Sequence, residues 1–324
     1  MNKLPTRFGF LLVKDFTLIS MSSAIEPMRM ANRLCEQAVY EWRIISETGN
    51  DVSCSGGVSI NVDCGIADPD VLTDLDAIIV CGGRRTEEQA SEAVSRWLVN
   101  ADRRGIVLGA ICTGSYLLAK AGLLDDHSCS THWENIASLA DSFPRVRVTR
   151  SVYTIDQNRM TSSGGTAPVD MMLHLIRKQC GAIVSAGVAE QFVYDHVREI
   201  GDRQRVPLRH TVGNQSEKLI IAVELMEANV REPISQSELA DYIGLSRRQL
   251  QRLFQRYLGC TPSRHYLEVR LLRAREFLRQ TNMSLVEIST QTGFGSSSHF
   301  SKSYKEFYQY SPSEERRKRG EQKQ

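Results

Sequence analysis

The stretch SQSELADYIGLSRRQLQRLFQRYLGCTPS, residues 235–263, decides the fold of the C-terminal third of the chain because it occurs twice. It aligns with SLVEISTQTGFGSSSHFSKSYKEFYQYSPS, residues 284–313, with one residue inserted after a shared glycine. Each copy predicts a short helix, a turn containing that glycine, and a second helix that ends before a proline. This order is the helix-turn-helix layout. Between the copies, SRHYLEVRLLRAREFLRQ predicts a joining helix about 27 Å long at 1.5 Å per residue.

The second helix of the first copy carries side chains that suit DNA. Ser246 followed by Gln249 is a capping-box pattern at its start. One face is apolar, with Leu250, Leu253, Phe254 and Tyr257 at helical spacing. The opposite face is polar, with Arg248, Gln251, Arg252 and Gln255. Arginine and glutamine match guanine and adenine edges in the major groove. A solvated arginine-rich surface is the alternative, and the duplication favours DNA binding.

Residues 217–319 resemble the AraC/XylS family of bacterial transcription activators, through ELADYIGLSRRQLQRLFQRYLGCTPSRHYLEVRLLRAREFL and VEISTQTGFGSSSHFSKSYKEFYQYSPSEER. The resemblance implies an all-α DNA-binding domain whose two recognition helices read neighbouring grooves. It assigns DNA contacts in the first unit to Arg247, Arg248, Gln251 and Arg252, and in the second unit to Ser298, His299 and Lys302. The second helix begins with GSSSH, which is small and weakly charged, so we expect more phosphate contact there.

Two C-terminal features leave alternatives open. His299 either contacts DNA or is a partly buried residue that packs on the joining helix. The closing ERRKRGEQKQ, residues 315–324, is interpreted as a frayed basic tail with weak phosphate contact or none.

The first 200 residues follow a different pattern, in which apolar runs alternate with amphipathic segments. Strands are predicted at RFGFLLV, YEWRIIS, DAIIVCGG and IVLGAICTG. Helices are predicted at SSAIEPMRMANRLCEQ, TEEQASEAVSRWLVNADRRG, SYLLAKAG and TAPVDMMLHLIRKQCG. This rhythm favours an α/β, flavodoxin-like domain with a parallel sheet and helices on both faces. RVRVTRSVYTIDQNRM, residues 145–160, alternates around a turn signal and predicts a hairpin.

Length and charge indicate two domains with different partners. A chain of 324 residues exceeds what one core usually supports. Residues 1–200 form the predicted sensor domain, polar residues 201–216 a linker, residues 217–319 the DNA-binding domain and residues 320–324 a tail. The net charge is +2, yet residues 217–324 carry 18 Lys and Arg against 13 Asp and Glu. This basic half is where nucleic acid is expected.

Other classes of protein are disfavoured by the composition. No stretch approaches 18 uncharged apolar residues, so no membrane association is predicted, and the chain is expected in the cytoplasm. The eight cysteines lack metal-ligand spacing with one another or with histidine, so neither a metal nor another cofactor is predicted.

The stretch LGAICTGSYLLAKAG, residues 108–122, places Cys112 between a predicted strand and a predicted helix. A turn of this kind exposes the sulfur, and a helix N-terminus favours a thiolate. Cys112 is therefore a candidate nucleophile, and the alternative is a small residue that tolerates a tight turn.

Residues 7–195 resemble the ThiJ/PfpI branch of the class I glutamine-amidotransferase-like fold, in the form fused to AraC-type domains in GlxA-type regulators. The resemblance rests on SAIEPMRMANRL, DAIIVCGG, GAICTGSYLLAKAGLL, STHWENIASL and SSGGTAPVDMMLHLI. It implies that Cys112 is the counterpart of the family nucleophile, that Glu26 approaches it and that His132 lies near the same pocket. It also implies that Gly82 and Gly83 lie at the pocket mouth, where their N–H groups could hold an anion.

Three further residues complete the predicted ligand site. Thr113 follows Cys112 in the turn. Trp133 offers a cation–π contact and Glu134 a charge partner, which together suit the ammonium group of an amino acid or quaternary amine. The alternatives are a core tryptophan, a solvated Glu134, an exposed Glu26 at a helix bend and a packed His132.

We expect this pocket to bind a small-molecule inducer without turning it over, because fusion to a DNA-binding domain couples ligand occupancy to promoter DNA or RNA polymerase. The chain is thus predicted to be a transcription regulator, an activator, that acts as a homodimer. Two alternatives remain: a cysteine-dependent amidase or hydratase-like enzyme, and a redox sensor based on Cys112.

Overall fold

The chain divides into two compact units, residues 1–205 and 206–324. The computed structural model describes residues 5–89, 91–194, 196–204 and 217–321. Most of the predicted linker, residues 205–216, and residues 322–324 of the predicted tail lie outside the described residues.

The first unit is built on a seven-stranded sheet in the order β10-β11-β7-β6-β1-β2-β5. All neighbouring strands are parallel except β10 and β11, which are antiparallel. The strands are β1 Thr6–Leu12, β2 Tyr40–Ser46, β3 Val52–Ser53, β4 Ser59–Ile60, β5 Cys64–Gly65, β6 Ala77–Cys81, β7 Val107–Ile111, β8 Ser128–Ser130, β9 Arg147–Thr149, β10 Tyr153–Asp156 and β11 Arg159–Ser162.

Helices cover both faces of this sheet, as the alternating sequence pattern predicts. They are α1 Leu18–Leu34, α2 Glu92–Arg103, α3 Ser115–Lys120, α4 Ile136–Ser142, α5 Ala167–Cys180 and α6 Ala182–Gln191. Successive side chains of a strand point to opposite faces. In β6, Ile79 therefore enters the core beneath α1, α5 and α6, whereas Ile78 and Val80 enter the core beneath α2 and α3. The α/β fold class predicted for this half is confirmed.

The predicted hairpin at 145–160 is only half correct. Its second part forms the antiparallel pair β10–β11, which turns at Gln157 in the left-handed region. Its first part, β9, instead pairs in parallel with β8 in a separate two-stranded sheet. The β3–β4 pair and helices α4 and α6 were not anticipated from the sequence pattern.

The described residues of the second unit contain helices and no strand. The helices are α7 Glu217–Ala228, α8 Gln236–Tyr242, α9 Arg247–Leu258, α10 Pro262–Gln280, α11 Leu285–Gln291, α12 Ser297–Tyr308 and α13 Pro312–Glu321. Two cores form, and α10 contributes to both: Leu250 and Phe254 lie in the first, and Phe300 and Tyr304 lie in the second. The duplicated sequence thus forms two helix-turn-helix units, α8–α9 and α11–α12. Within the part of the chain that is described, no helix is long and apolar enough to span a membrane.

Candidate functional site

Cys112 occupies a strained turn at the C-terminal end of β7. Its φ is +59°, in the left-handed region that few non-glycine residues adopt, and it opens a short 3-10 helix that runs into α3. Gly164 lies directly against it: a Cβ on Gly164 would meet the Cys112 Cβ at 2.8 Å and Sγ at 3.1 Å. The turn geometry matches the predicted elbow, but its neighbours leave Cys112 only 7% exposed, so the expectation that the turn exposes the sulfur is wrong.

The surroundings of the thiol favour its protonated form. Burial raises the pKa of Cys112, and the nearby Glu134 carboxylate adds to that rise. The Thr17 hydroxyl, 3.6 Å from Sγ, and Thr113 act in the opposite direction without reversing the shift. The expectation that the helix N-terminus makes Cys112 a ready thiolate is therefore wrong, because desolvation outweighs the hydrogen bonds.

Glu26 is not brought to the cysteine. Its side chain is 46% exposed and forms an ion pair with Arg29, at 2.7 Å. The residue of α1 that contacts Cys112 is Thr17, at the N-cap. Glu26 lies nine residues further along, about 13 Å at 1.5 Å per residue. The implied approach of Glu26 to Cys112 is therefore wrong, because Glu26 lies more than two helical turns beyond the residue that contacts the thiol.

His132, Trp133 and Glu134 stand together where β8 leads into a 3-10 helix at Trp133–Asn135. The His132 ring packs on the Trp133 ring at 5.2 Å, and His132 Nδ1 lies 3.4 Å from Glu134 Oε2. Burial lowers the pKa of His132 and Glu134 opposes that shift, so the imidazole is neutral at pH 7. Thr131 joins this group to the elbow, because its hydroxyl donates to the Cys112 carbonyl at 3.2 Å.

Gly82 and Gly83 do not offer free N–H groups to an anion. The N–H of Gly82 donates to the Ile111 carbonyl at 3.2 Å, and the N–H of Gly83 donates to the Thr86 hydroxyl at 3.0 Å. Both positions require glycine for close backbone approach, since a Cβ would meet another backbone atom at 2.1 Å in each case. The implied anion-binding mouth is therefore wrong.

Thr113 has a structural role beside these glycines. Its hydroxyl donates to the Gly83 carbonyl at 2.7 Å and also lies 2.7 Å from the Thr86 hydroxyl. Thr113 thus ties the elbow to the segment that follows β6. Within the described residues, no group of three or more His, Cys, Asp and Glu could hold a metal ion.

The segment 196–204, at the start of the predicted linker, is fastened to the first unit. The Gln204 side chain donates to the carbonyls of Thr131 and Ser151, at 2.9 and 3.0 Å. Arg198 pairs with Asp170, which is fully buried in α5, at 2.7 Å. We call residues 196–204 the strap. Residues 201–204 of the predicted linker are thus held against the first unit. Their polar sequence gives no pattern that distinguishes a bound segment from a loose one.

The first candidate recognition helix, α9, presents the predicted polar face. The capping box of Ser246 and Gln249 forms as predicted, with the Ser246 hydroxyl accepting from the Gln249 N–H at 3.3 Å. Leu250 and Phe254 are completely buried. The four residues assigned to DNA contact are all exposed: Arg247, Arg248, Gln251 and Arg252.

The second candidate recognition helix, α12, also exposes its assigned residues, Ser298, His299 and Lys302. The His299 ring meets the edge of Phe294 at 5.6 Å, and Phe294 lies against Arg270 of α10. His299 therefore rests on a buried aromatic residue while its own side chain stays exposed. His299 is therefore not the partly buried residue of the second alternative, and its contact with DNA stays a prediction.

The C-terminal segment is not a frayed tail from residue 315. Helix α13 spans Pro312–Glu321, and Glu315 is only 2% exposed. Its carboxylate accepts hydrogen bonds from Tyr304 at 2.7 Å, Arg275 at 3.2 Å and Arg279 at 2.6 Å. Because the surrounding residues are mostly basic, the sequence did not indicate that Glu315 would be buried.

Comparisons with known proteins match both halves of the chain. The DJ-1/PfpI family matches residues 10–178, and a helix-turn-helix domain family matches residues 239–318. The HTH-type transcriptional regulator GbdR of Pseudomonas aeruginosa is 49% identical over 315 residues, 97% of this chain and 85% of that protein. The HTH-type transcriptional regulator CdhR of Pseudomonas aeruginosa is 40% identical over 309 residues, 95% of this chain and 91% of that protein.

A solved structure supports the same description for the first unit. The crystal structure of an AraC family transcriptional regulator from Pseudomonas putida is 29% identical, with a TM-score of 0.53. The match covers 58% of this chain and 100% of that one.

Proposed function

This chain belongs to the HTH-type transcriptional regulators that join a DJ-1/PfpI domain to an AraC-type DNA-binding domain, and we propose from that premise that it activates transcription in response to a small metabolite. The observation that carries the proposal is the exposed arginine and glutamine face of α9, held by a buried apolar face in a duplicated helix-turn-helix.

DNA recognition follows from the chemistry of the two recognition helices. Arg248, Gln251 and Arg252 present forked donors that can read base edges. The joining helix α10 has 19 residues, about 28 Å at 1.5 Å per residue, which is comparable to the 34 Å between successive major grooves. Lys302 in α12 suits a phosphate, so α9 carries most of the sequence preference.

The elbow supports ligand binding better than catalysis. A nucleophile needs an activating base and an oxyanion site. Here burial keeps the Cys112 thiol protonated, Glu26 pairs with Arg29, and the N–H groups of Gly82 and Gly83 are already engaged. The same burial disfavours Cys112 as a redox sensor, because a thiolate is the form that is oxidised.

The ligand class follows from Trp133 and Glu134, which stand beside the elbow. An aromatic face and a carboxylate suit a quaternary or primary ammonium group. The inducer proposed here is accordingly an amino acid or a betaine-like amine that contacts Cys112, His132, Trp133 and Glu134.

The strap could couple ligand binding at this site to the DNA-binding domain. Thr131 donates to the Cys112 carbonyl and accepts from the Gln204 side chain, so a shift at the elbow moves the residue next to the linker. On this proposal a ligand that prefers one position of the strap changes DNA binding or contact with RNA polymerase. The regulator acts in the cytoplasm as a homodimer on repeated half-sites.

One experiment on the full chain tests the proposal. DNA selected from random sequences is used to measure affinity by fluorescence anisotropy, with and without each of a panel of amino acids and betaines. The fate of every compound that alters the affinity is followed over hours. Selective DNA binding that responds to an unconsumed compound supports the proposal. Failure to select any sequence would refute DNA recognition, and Cys112-dependent consumption of a compound would favour the enzyme alternative.

A further inference from the structure

Two cysteines outside the Cys112 site lie together at the ends of two helices. Cys35 directly follows α1, and Cys180 is the last residue of α5. Burial raises the pKa of the Cys180 thiol and the neighbouring Cys35 side chain raises it further, whereas the Tyr40 hydroxyl, 3.9 Å from Cys180 Sγ, opposes that rise. Both thiols are partly exposed and pack against the same core. The pair therefore combines proximity with access from solvent.

We propose that Cys35 and Cys180 form a modification site, at which a hydroperoxide converts the two thiols into a disulfide between the ends of α1 and α5. Neither the proposed ligand site nor the DNA-binding surface uses these residues. No C-x-x-C pattern marks them, because they are far apart along the chain and meet only where α1 packs on α5.

The chemistry needs only the two thiols and the peroxide. Cys180 differs from Cys112 in being partly exposed, so peroxide can reach the fraction of Cys180 that is ionised. That thiolate attacks one peroxide oxygen; the O–O bond breaks, and the departing oxygen takes a proton and leaves as water or an alcohol. The Cys35 sulfur then attacks the sulfenic sulfur of Cys180. The S–S bond forms as the S–O bond breaks, and hydroxide leaves as water with the Cys35 proton. The two sulfurs lose two electrons, which the peroxide gains.

The disulfide would clamp the two helices that flank the Cys112 site. At the other end of α1, Thr17 contacts Cys112 Sγ, and just before α5, Gly164 lies against Cys112. The N–H of Gly165 donates to the Ser20 hydroxyl at 2.9 Å, which joins the two helix starts. A link at the far ends restricts any movement of one helix along the other. Its effect on sensing rests on the proposed function, whereas disulfide formation does not.

Mass spectrometry of the full chain tests the chemistry directly. The reduced protein is treated with hydrogen peroxide, remaining thiols are blocked with iodoacetamide under denaturing conditions, and the chain is digested with trypsin. Cleavage after Arg and Lys puts Cys35 in residues 34–43 and Cys180 in residues 179–198, each as the sole cysteine of its peptide. We expect a cross-linked pair of these peptides that dithiothreitol separates.

Variants distinguish this site from Cys112. Cys112→Ser should keep the cross-link, and Cys35→Ser and Cys180→Ser should lose it. Tyr40→Phe, which retains the ring, should slow its formation several-fold because the hydrogen bond to Cys180 is lost. Recovery of both peptides fully alkylated after peroxide treatment, or cross-linking of either one to a third cysteine, would overturn the proposal. The chain without substitutions already shows whether the cross-link forms, so the proposal can be tested even if a variant fails to fold. Formation of the cross-link is also measured independently of DNA binding.

Discussion

Glu315 offers a sharp test of how the second unit is held together. Its carboxylate is buried between α10, α12 and α13, where it accepts hydrogen bonds from Tyr304, Arg275 and Arg279. Although burial alone would raise the pKa of Glu315, the two arginines and the tyrosine lower it to about 2, from an ordinary value of 4.5. Glu315→Gln keeps the size of the side chain and removes the charge, so it isolates the electrostatic contribution.

The magnitude follows from the pKa. Each pH unit between the unfolded and folded pKa is worth about 1.4 kcal/mol, so ionised Glu315 contributes about 3 kcal/mol to the free energy of unfolding. Because the folded pKa is the lower one, this contribution is complete above pH 4.5 and is lost as the pH falls towards 2. Glu315→Gln should therefore lower the stability of the second unit by about 3 kcal/mol at pH 7 and remove that acid dependence.

The assay uses the placement of the tryptophans. All three lie in the first unit, so Trp fluorescence reports urea unfolding of that unit, whereas far-UV circular dichroism reports both. Only the circular-dichroism transition should shift in Glu315→Gln, and the exposed Glu306→Gln on α12 should shift neither. A Glu315→Gln chain with unchanged transitions, or with the acid dependence of the parent, would refute this account of the buried acid.

Three other predictions follow from named contacts. Arg252→Ala should weaken binding to the selected DNA by about 1–3 kcal/mol and relax the sequence preference, whereas Lys302→Ala should weaken binding to specific and non-specific DNA equally. Anisotropy titrations with both DNAs measure these affinities. If Arg252→Ala lost the same affinity for both DNAs, Arg252 would be a phosphate contact. Asp170→Asn should cost the first unit about 1–3 kcal/mol, measured by Trp fluorescence, because the hydrogen bonds from Arg198 and Tyr194 lose their charged acceptor; an unchanged transition contradicts this. Gly82→Ala, with a Cβ 2.1 Å from the Gly114 nitrogen, should yield little folded protein, and parent-like thermal unfolding would show that the backbone there can yield.

The candidate ligand site could be predicted in part. The strand-to-helix turn at Cys112 and the grouping of His132 with Trp133 and Glu134 follow from local sequence, since these residues are adjacent or sit at a recognisable turn. Glu26 could not be placed, because one face of α1 offers several positions and only packing shows that Thr17 reaches the thiol. The prediction of free anion-binding N–H groups at Gly82 and Gly83 was also wrong: the partner of Gly82, Ile111, lies on another strand, and the partner of Gly83, Thr86, is a turn residue whose side-chain direction the sequence does not show.

The sequence by itself determined the two fold classes and the two faces of α9, through its periodicity, and the duplication, through the alignment of one segment with the other. These depend on interactions within a few residues, where helical or strand spacing fixes the direction of each side chain. The family resemblances of both halves could be recognised from the sequence because their motifs are contiguous, and the family matches confirm them.

Only the tertiary structure decided which polar groups meet over long distances. It buried Glu315 within a stretch of basic residues, fastened Gln204 to Thr131, and brought Cys35 to Cys180. Each contact joins segments that are far apart in the chain and carry no shared pattern. A buried charge or a thiol pair is determined by which helices and strands pack together, and that arrangement is a property of the whole fold and not of any local spacing.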